Sequence, residues 1–265
     1  SGFKVIGPLP ECGEFPAQPR ADALPVDDLF TVSKWARKAV KGYLQRTMDK
    51  EALAYQESVR EVEEHGTLKG PYTDAEVERI VGPLFVPNPR FVIDQGGKKR
   101  PVDDGSVYKQ NATISVPWKL QLGGVDEVVA IAITILKCVD DSRMIRIRLP
   151  CGTILEGTLS PEWSIEDVRE LVGRLGDMKG AYRQLASYPG HRYASVVTVL
   201  DAAGELRHFL ALALLFGQTG AVYGFNRVSR FLSVLAAVKC DLINSPYYDD
   251  FTQIEFEKLA FSARQ

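Results

Sequence analysis

From Pro83 onward the chain breaks into short apolar runs separated by proline and glycine, whereas residues 31 to 80 carry helical periodicity. Helical chemistry and strand-and-turn chemistry are mixed without a regular βαβα alternation, which predicts an α+β fold. Val32, Trp35, Ala36, Ala39, Val40, Tyr43 and Leu44 recur at helical spacing, with Lys34, Arg37, Lys38 and Lys41 off that stripe. A helix with one basic side follows, and its lysines read either as solvated surface or as a face for polyanions. A second helix is predicted over Glu51 to Glu64, and a short third after Thr73-Asp74-Ala75-Glu76, where Thr and Glu fit a capping box. Residues 1 to 30 hold five of the fifteen prolines and show no period, so they are expected to be an extended arm or linker. Expected domain boundaries are therefore 1–30, 31–80 and 81–265.

Beyond Pro83 the spacing predicts a hairpin with a glycine turn, Phe91-Val92-Ile93 and Arg100-Pro101-Val102 around Gln95-Gly96-Gly97-Lys98-Lys99. Asp126 to Cys138 reads as a helix, Met144 to Leu149 and Thr153 to Leu159 as a second hairpin, and Ser160-Pro161 as the start of another helix. Leu206 to Leu215 is expected to be a strand entering a turn at Gly217, Ala221 to Val238 a long buried helix, and Tyr247 to Glu255 a tight hairpin. With 265 residues, 45% hydrophobic and 25% charged, the chain has material for one large domain or two small ones, and collagen-like, low-complexity and coiled-coil classes are excluded. The longest apolar stretch, Val128 to Leu136, is interrupted by Thr134 and is too short to span a bilayer. No signal-peptide layout follows Ser1, so an intracellular protein without a membrane partner is expected. Cys12, Cys138, Cys151 and Cys240 form no C-x-x-C pair, which argues against zinc and disulfide frameworks.

The net charge of −2 is unevenly spread. Val81 to Leu120 carries six basic residues against three acidic, and Glu51 to Arg79 eight acidic against three basic. The basic tip of the first hairpin is suited to polyanions, although such segments are also ordinary solvated surface. Two acidic sites fall where strands should end: Asp177 in Leu175-Gly176-Asp177-Met178-Lys179, and Asp249-Asp250 in Tyr247-Tyr248-Asp249-Asp250-Phe251. Adjacent carboxylates between buried aromatics would call for a cation, and hard oxygen donors with few histidines point to Mg²⁺ or Mn²⁺. On spacing alone the same pattern also reads as a polar turn between strands. No P-loop, dinucleotide fingerprint or nucleophile elbow competes with it.

Four segments in order carry a resemblance: Lys98-Lys99-Arg100-Pro101-Val102-Asp103-Asp104, Asp177-Met178-Lys179-Gly180-Ala181-Tyr182-Arg183-Gln184-Leu185, Phe216-Gly217 leading into Tyr223 to Arg230, and Tyr247 to Phe251. Together they resemble the signature blocks of retroelement reverse transcriptases, over about two-thirds of the chain. The resemblance implies right-hand polymerase fingers and palm subdomains without a thumb. It implies RNA-directed DNA polymerase activity on an RNA or DNA template with primer, using deoxynucleoside triphosphates. Asp177, Asp249 and Asp250, with the main-chain carbonyl of Met178, are implied as ligands of two Mg²⁺ or Mn²⁺ ions. Lys98, Lys99 and Arg100 are implied to hold the triphosphate, Tyr182 to gate the sugar, and Phe216 and Gly217 to bring backbone close to the nucleotide. Tyr182 also reads as a core side chain, and Asn226 and Arg230 as helix packing as readily as nucleotide contacts. Gly176 and Leu215 depart from the family pattern, and the chain is expected to be a fragment or decayed copy of a larger polyprotein. A catalytically silent module of the same type, binding nucleic acid or protein, is the alternative; an RNA-templated RNA polymerase is disfavoured by Tyr182.

Overall fold

The computed structural model describes residues 2–46 and 52–260. The chain has the mixed helix and sheet content of an α+β protein and divides into two compact units. One unit is formed by the chain up to Leu120 together with Gly180–Arg227, the other by Gln121–Lys179 and the chain from Val228 onward.

The first unit contains α1 (Asp28–Arg46), α2 (Leu53–Arg60), which continues as one π-helical turn (Glu61–His65), β1 (Leu68–Tyr72) and α3 (Asp74–Val81). The hairpin β2 (Pro87–Gln95) and β3 (Lys98–Asp103) follows. Glu51 of the expected second helix lies outside the described residues. The capping box of α3 forms as expected, with the Thr73 amide donating to Glu76 Oε2 at 2.7 Å. The β2–β3 turn is Gly96-Gly97, and both glycines have positive φ, 61° and 80°, which is why this turn takes glycine.

Downstream, one strand that no local periodicity announced and the strand expected from Leu206 complete a five-stranded sheet. In front of β7 (Val196–Leu200), Pro189–Ala194 forms a 3₁₀ segment, and β8 (Leu206–Ala211) pairs antiparallel with β7. The strand order is β1-β8-β7-β2-β3, with β2 parallel to β7. The expected Leu206–Leu215 strand stops at Ala211, and Ala213 instead bridges to Ala186.

Side chains alternate across this sheet as the pleat requires. Val197, Val199, Phe209 and Ala211 pack with Leu68 and Ala54 of α2, whereas Val196 and Leu210 pack with Phe85 and Val77 of α3. Leu29, Val32, Ala36, Val40 and Leu44 of α1 bury against Val86, Tyr108 and Ala194. Each Val or Leu buried in this way contributes about 1.5–3 kcal/mol. On the opposite side of α1, Arg37 pairs with Glu78 and Lys41 with Glu205, so part of its basic face is already neutralised.

The proline-rich arm is extended but is not a free linker. Val5, Ile6, Leu9 and Phe15 are buried, and isolated bridges tie Phe3 to Ser187, Pro8 to Ser115 and Ala17 to Trp118. Phe15 stacks on Trp118 with ring centroids 4.8 Å apart. Prolines deny the arm a regular ladder, and its apolar side chains fix it instead.

The second unit contains α4 (Val125–Lys137), the hairpin β4 (Met144–Arg148) and β5 (Ile154–Thr158), and β6 (Leu171–Asp177). It also contains the hairpin β9 (Asn244–Tyr247) and β10 (Asp250–Phe256), which joins β6 in a three-stranded antiparallel sheet of order β6-β10-β9. The helix α5 (Thr219–Cys240) precedes that hairpin and runs through the chain boundary between the two units. No helix forms after Ser160-Pro161. There Ser164 and Asp167 exchange amide-to-side-chain hydrogen bonds of 2.7 and 3.1 Å, closing a turn that leads into β6 only four residues later. Nor is α5 buried throughout: Ala221 and Phe225 are fully enclosed, but Phe231 and Val238 are 61% and 68% exposed.

Candidate active site around an acidic turn

The register of the three-stranded sheet decides where the acidic residues of the second unit meet. Asp177, the last residue of β6, is the cross-strand partner of Asp250, the first residue of β10, which is also paired with Tyr247 of β9. Residues directly opposite in an antiparallel ladder project to the same face with Cβ atoms about 4.5–5.5 Å apart. Asp249 sits in the two-residue connection just before Asp250, and its carbonyl accepts a hydrogen bond from the Met178 amide at 3.0 Å. The four residues implied as metal ligands are thus brought together by the β6–β10 pairing and one backbone hydrogen bond.

The turn is held by residues outside it. Tyr248 has a φ of 54°, the left-handed region, which costs a residue with a Cβ about 1–2 kcal/mol. The Ser229 hydroxyl of α5, itself buried, donates to the Tyr248 carbonyl at 2.7 Å and pins that conformation. On the other strand, the Ser245 hydroxyl donates to Glu127 of α4 at 3.0 Å.

Electrostatically the three acids act on one another. Partial desolvation raises the pKa of Asp250 above the usual carboxylate range, and the charges of Asp249 and then Asp177 push it the same way. The aromatic flanks are less enclosed than the sequence pattern suggested: Asp177 is exposed, Asp249 and Asp250 are half-buried, and Tyr247 is 52% exposed. The donor set consists of carboxylate and carbonyl oxygens, the chemistry of a hard divalent cation. Among the described residues no three histidine, cysteine or carboxylate side chains are drawn into a ready metal-ligand group. The departure at Gly176 leaves room, since a Cβ there would meet nothing closer than the Phe251 carbonyl at 3.8 Å.

The residues implied in nucleotide binding belong to the first unit. Lys98, Lys99 and Arg100 are all exposed on β3. Alternation places Lys98 and Arg100 on one face and Lys99 on the other. Lys99 is engaged by Asp94 at 3.0 Å, and this contact, with the Gly97 amide, holds the Asp94 carboxyl below its ordinary value. Tyr182, in the 3₁₀ turn Ala181–Gln184, packs its ring 4.9 Å from Phe225 and 6.1 Å from Phe216, so two of the implied residues touch. The ring is half-buried against Val5, Leu214 and Ala221.

Gly217 is needed for a close approach within the fold itself. It has a φ of 111°, and a Cβ there would lie 2.1 Å from the Asp103 carbonyl oxygen. The Asp103 amide in turn donates to the Phe216 carbonyl at 2.8 Å, and the Asn111 side chain donates to the Gly217 carbonyl and accepts from the Thr219 amide at the start of α5. Leu215 fills the core beside this junction. Asn226 is buried and donates to the Val222 carbonyl, the helix-packing reading of that residue.

Both aspartates of the Asp103-Asp104 pair serve the scaffold. Arg90 clamps Asp103 through two hydrogen bonds of 2.8 and 2.9 Å, both side chains being 1% exposed, and also reaches Glu61 at 3.0 Å and Ser58 at 3.2 Å. Arg183 adds a second contact to Glu61 at 2.6 Å. Burial alone would favour neutral Arg90, but Asp103 and Glu61 outweigh it and hold the guanidinium charged. Asp104 accepts from the Tyr43 hydroxyl and from the Ser106 and Val107 amides. Arg90 and Asp103 are cross-strand partners of the β2–β3 hairpin, whereas Glu61 and Arg183 are distant along the chain, and so the network as a whole was not announced by local pattern. No protein-family model and no curated protein matches this chain. All four cysteines are free, and among the described residues no helix is long and apolar enough to cross a membrane.

Proposed function

We propose that this chain is the fingers and palm segment of an RNA-directed DNA polymerase that extends a primer 3′-hydroxyl with deoxynucleotides. The observation that carries the reading is the register that sets Asp250 opposite Asp177, with Asp249 in the turn between β9 and β10 and its carbonyl bonded to Met178. Asp177, Asp249, Asp250 and the Met178 carbonyl would hold Mg²⁺ or Mn²⁺. When bound, such a pair of ions lowers the pKa of the attacking hydroxyl and neutralises charge on the leaving pyrophosphate.

The chain's own residues do the rest. The left-handed Tyr248, pinned by Ser229, keeps the two adjacent carboxylates at the end of the sheet. Exposed Lys98 and Arg100 supply cations for triphosphate oxygens on the hairpin of the first unit, with Lys99 beside them. Tyr182, braced by Phe216 and Phe225, presents an aromatic edge suited to discriminating against a ribose 2′-hydroxyl. The proposal is tested by primer extension on an RNA template with Mg²⁺. Asp249→Asn should abolish extension by the polymerase that carries this segment while leaving primer–template binding nearly intact, and undiminished extension would reject the assignment.

A further inference from the structure

The first unit carries an open pocket of about 520 Å³ that the proposed polymerase chemistry does not use. It lies beside the N-terminal arm and the first turns of α5, and its size is that of a small-molecule site, about 300–1,000 Å³. Phe3 of the arm, Trp118 and Tyr223 of α5 supply three aromatic rings, and Lys4 and Arg227 supply two cations; among the described residues no acidic side chain lines it. The rings are fixed. Trp118 donates its indole N–H to the Pro10 carbonyl at 3.1 Å, is stacked by Phe15, and meets the Tyr223 ring edge-on at 5.0 Å. Gly224 shapes the wall, because a Cβ there would press on the Phe3 ring at 3.0 Å. The cations, by contrast, are not committed to a carboxylate among the described residues. Aromatic faces beside uncommitted cations are complementary to a flat heterocycle that carries an anionic group.

We propose that this pocket binds a nucleoside monophosphate unit, its base against Phe3 and Tyr223 over the Trp118 floor and its phosphate on Lys4 and Arg227. The unit is either a free nucleotide or an unpaired nucleotide of a strand, since both present the same base and phosphate.

The inference is independent of the acidic turn and needs no divalent cation. Isothermal titration of the full chain with AMP in EDTA should give saturable one-site binding. Lys4→Gln and Arg227→Gln should each weaken it about tenfold, the loss of one charge-assisted contact. Tyr223→Leu, which keeps apolar volume but removes the ring, should weaken it as well, and inorganic phosphate alone should bind at least about tenfold more weakly than AMP. A short single-stranded oligoadenylate identifies the source: tighter binding than AMP, with a steeper loss on adding salt, marks a strand nucleotide, and equal affinity marks the free nucleotide. Absence of saturable AMP binding in EDTA, or affinity unmoved by both charge variants, overturns the proposal. Because Arg227→Gln alters a partly exposed charge, it keeps the test decisive should Tyr223→Leu fail to fold.

Discussion

Asp250 stands across the β6–β10 ladder from Asp177, and its carboxyl titrates high because burial and the neighbouring charges of Asp249 and Asp177 oppose its ionisation. A group whose folded pKa lies above its unfolded value contributes stability that is present at low pH and lost as pH rises through the folded value. At neutral pH the acidic turn therefore opposes folding. Asp177→Asn should lower the pKa of Asp250 in a carboxylate NMR titration and raise the melting temperature at pH 7. The gain in melting temperature should vanish below the ordinary carboxyl value of 3.8. An unchanged Asp250 titration would mean that the two side chains do not share a face.

Tyr182 is an anchored ring in contact with Phe216 and Phe225. Tyr182→Ala should increase ribonucleotide incorporation relative to deoxynucleotides and cost about 1–3 kcal/mol of stability through lost packing. Tyr182→Phe keeps the ring and should leave the sugar preference where it is. Competition assays between the two nucleotide types check both, and an unaltered preference in the alanine variant would reject the gate.

The Arg90–Asp103 pair is shut away from water, so breaking it is expensive. Asp103→Asn should destabilise the chain by about 3–5 kcal/mol in urea denaturation, because the buried Arg90 guanidinium loses its two-point carboxylate partner and keeps only Glu61. The double variant Arg90→Met, Asp103→Leu should recover much of that loss. A single variant within about 0.5 kcal/mol of the parent would place the pair in water.

His191 accepts the Val5 amide at Nδ1, 3.3 Å away, and its pKa is lowered by burial first and then by the charge of Lys4. The unfolded chain therefore binds the proton more readily than the folded one. Its contribution to stability is intact above the ordinary value of 6.5 and is lost progressively as pH falls below it. Hydrogen exchange at the Val5 amide should accelerate on acidification in the parent once corrected for intrinsic rates. His191→Gln should remove that pH dependence.

Local patterns carried much of the fold. The stripe of α1, the Thr73 capping box, the glycine turn of the β2–β3 hairpin and the alternation of the β4–β5 hairpin are each contained within a short stretch of chain, so propensity and spacing suffice to announce them, whereas the hairpin expected over Tyr247 to Glu255 takes Asn244–Tyr247 as its first strand. The arm was harder, because Val5, Ile6, Leu9 and Phe15 find their partners far away in sequence. The absent helix after Pro161 shows competition: the start signal was present, but the residues after Ser164 turn into β6. Of the site, the acidic residues were legible from their strand-end positions. Their pairing register, the Ser229 brace and the role of Gly217 depend on tertiary contacts and were not.

The fit of Gly217 under the Asp103 carbonyl bears on how this chain tolerates recombination. More than a hundred positions separate the two residues in sequence, yet there is no clearance between them, and the Phe216 carbonyl is bonded to the Asp103 amide. Chimeras that inherit the β3 end and the entry to α5 from one parent should express as folded protein. Crossovers that draw these two segments from different parents should be selected against, unless both parents preserve the glycine.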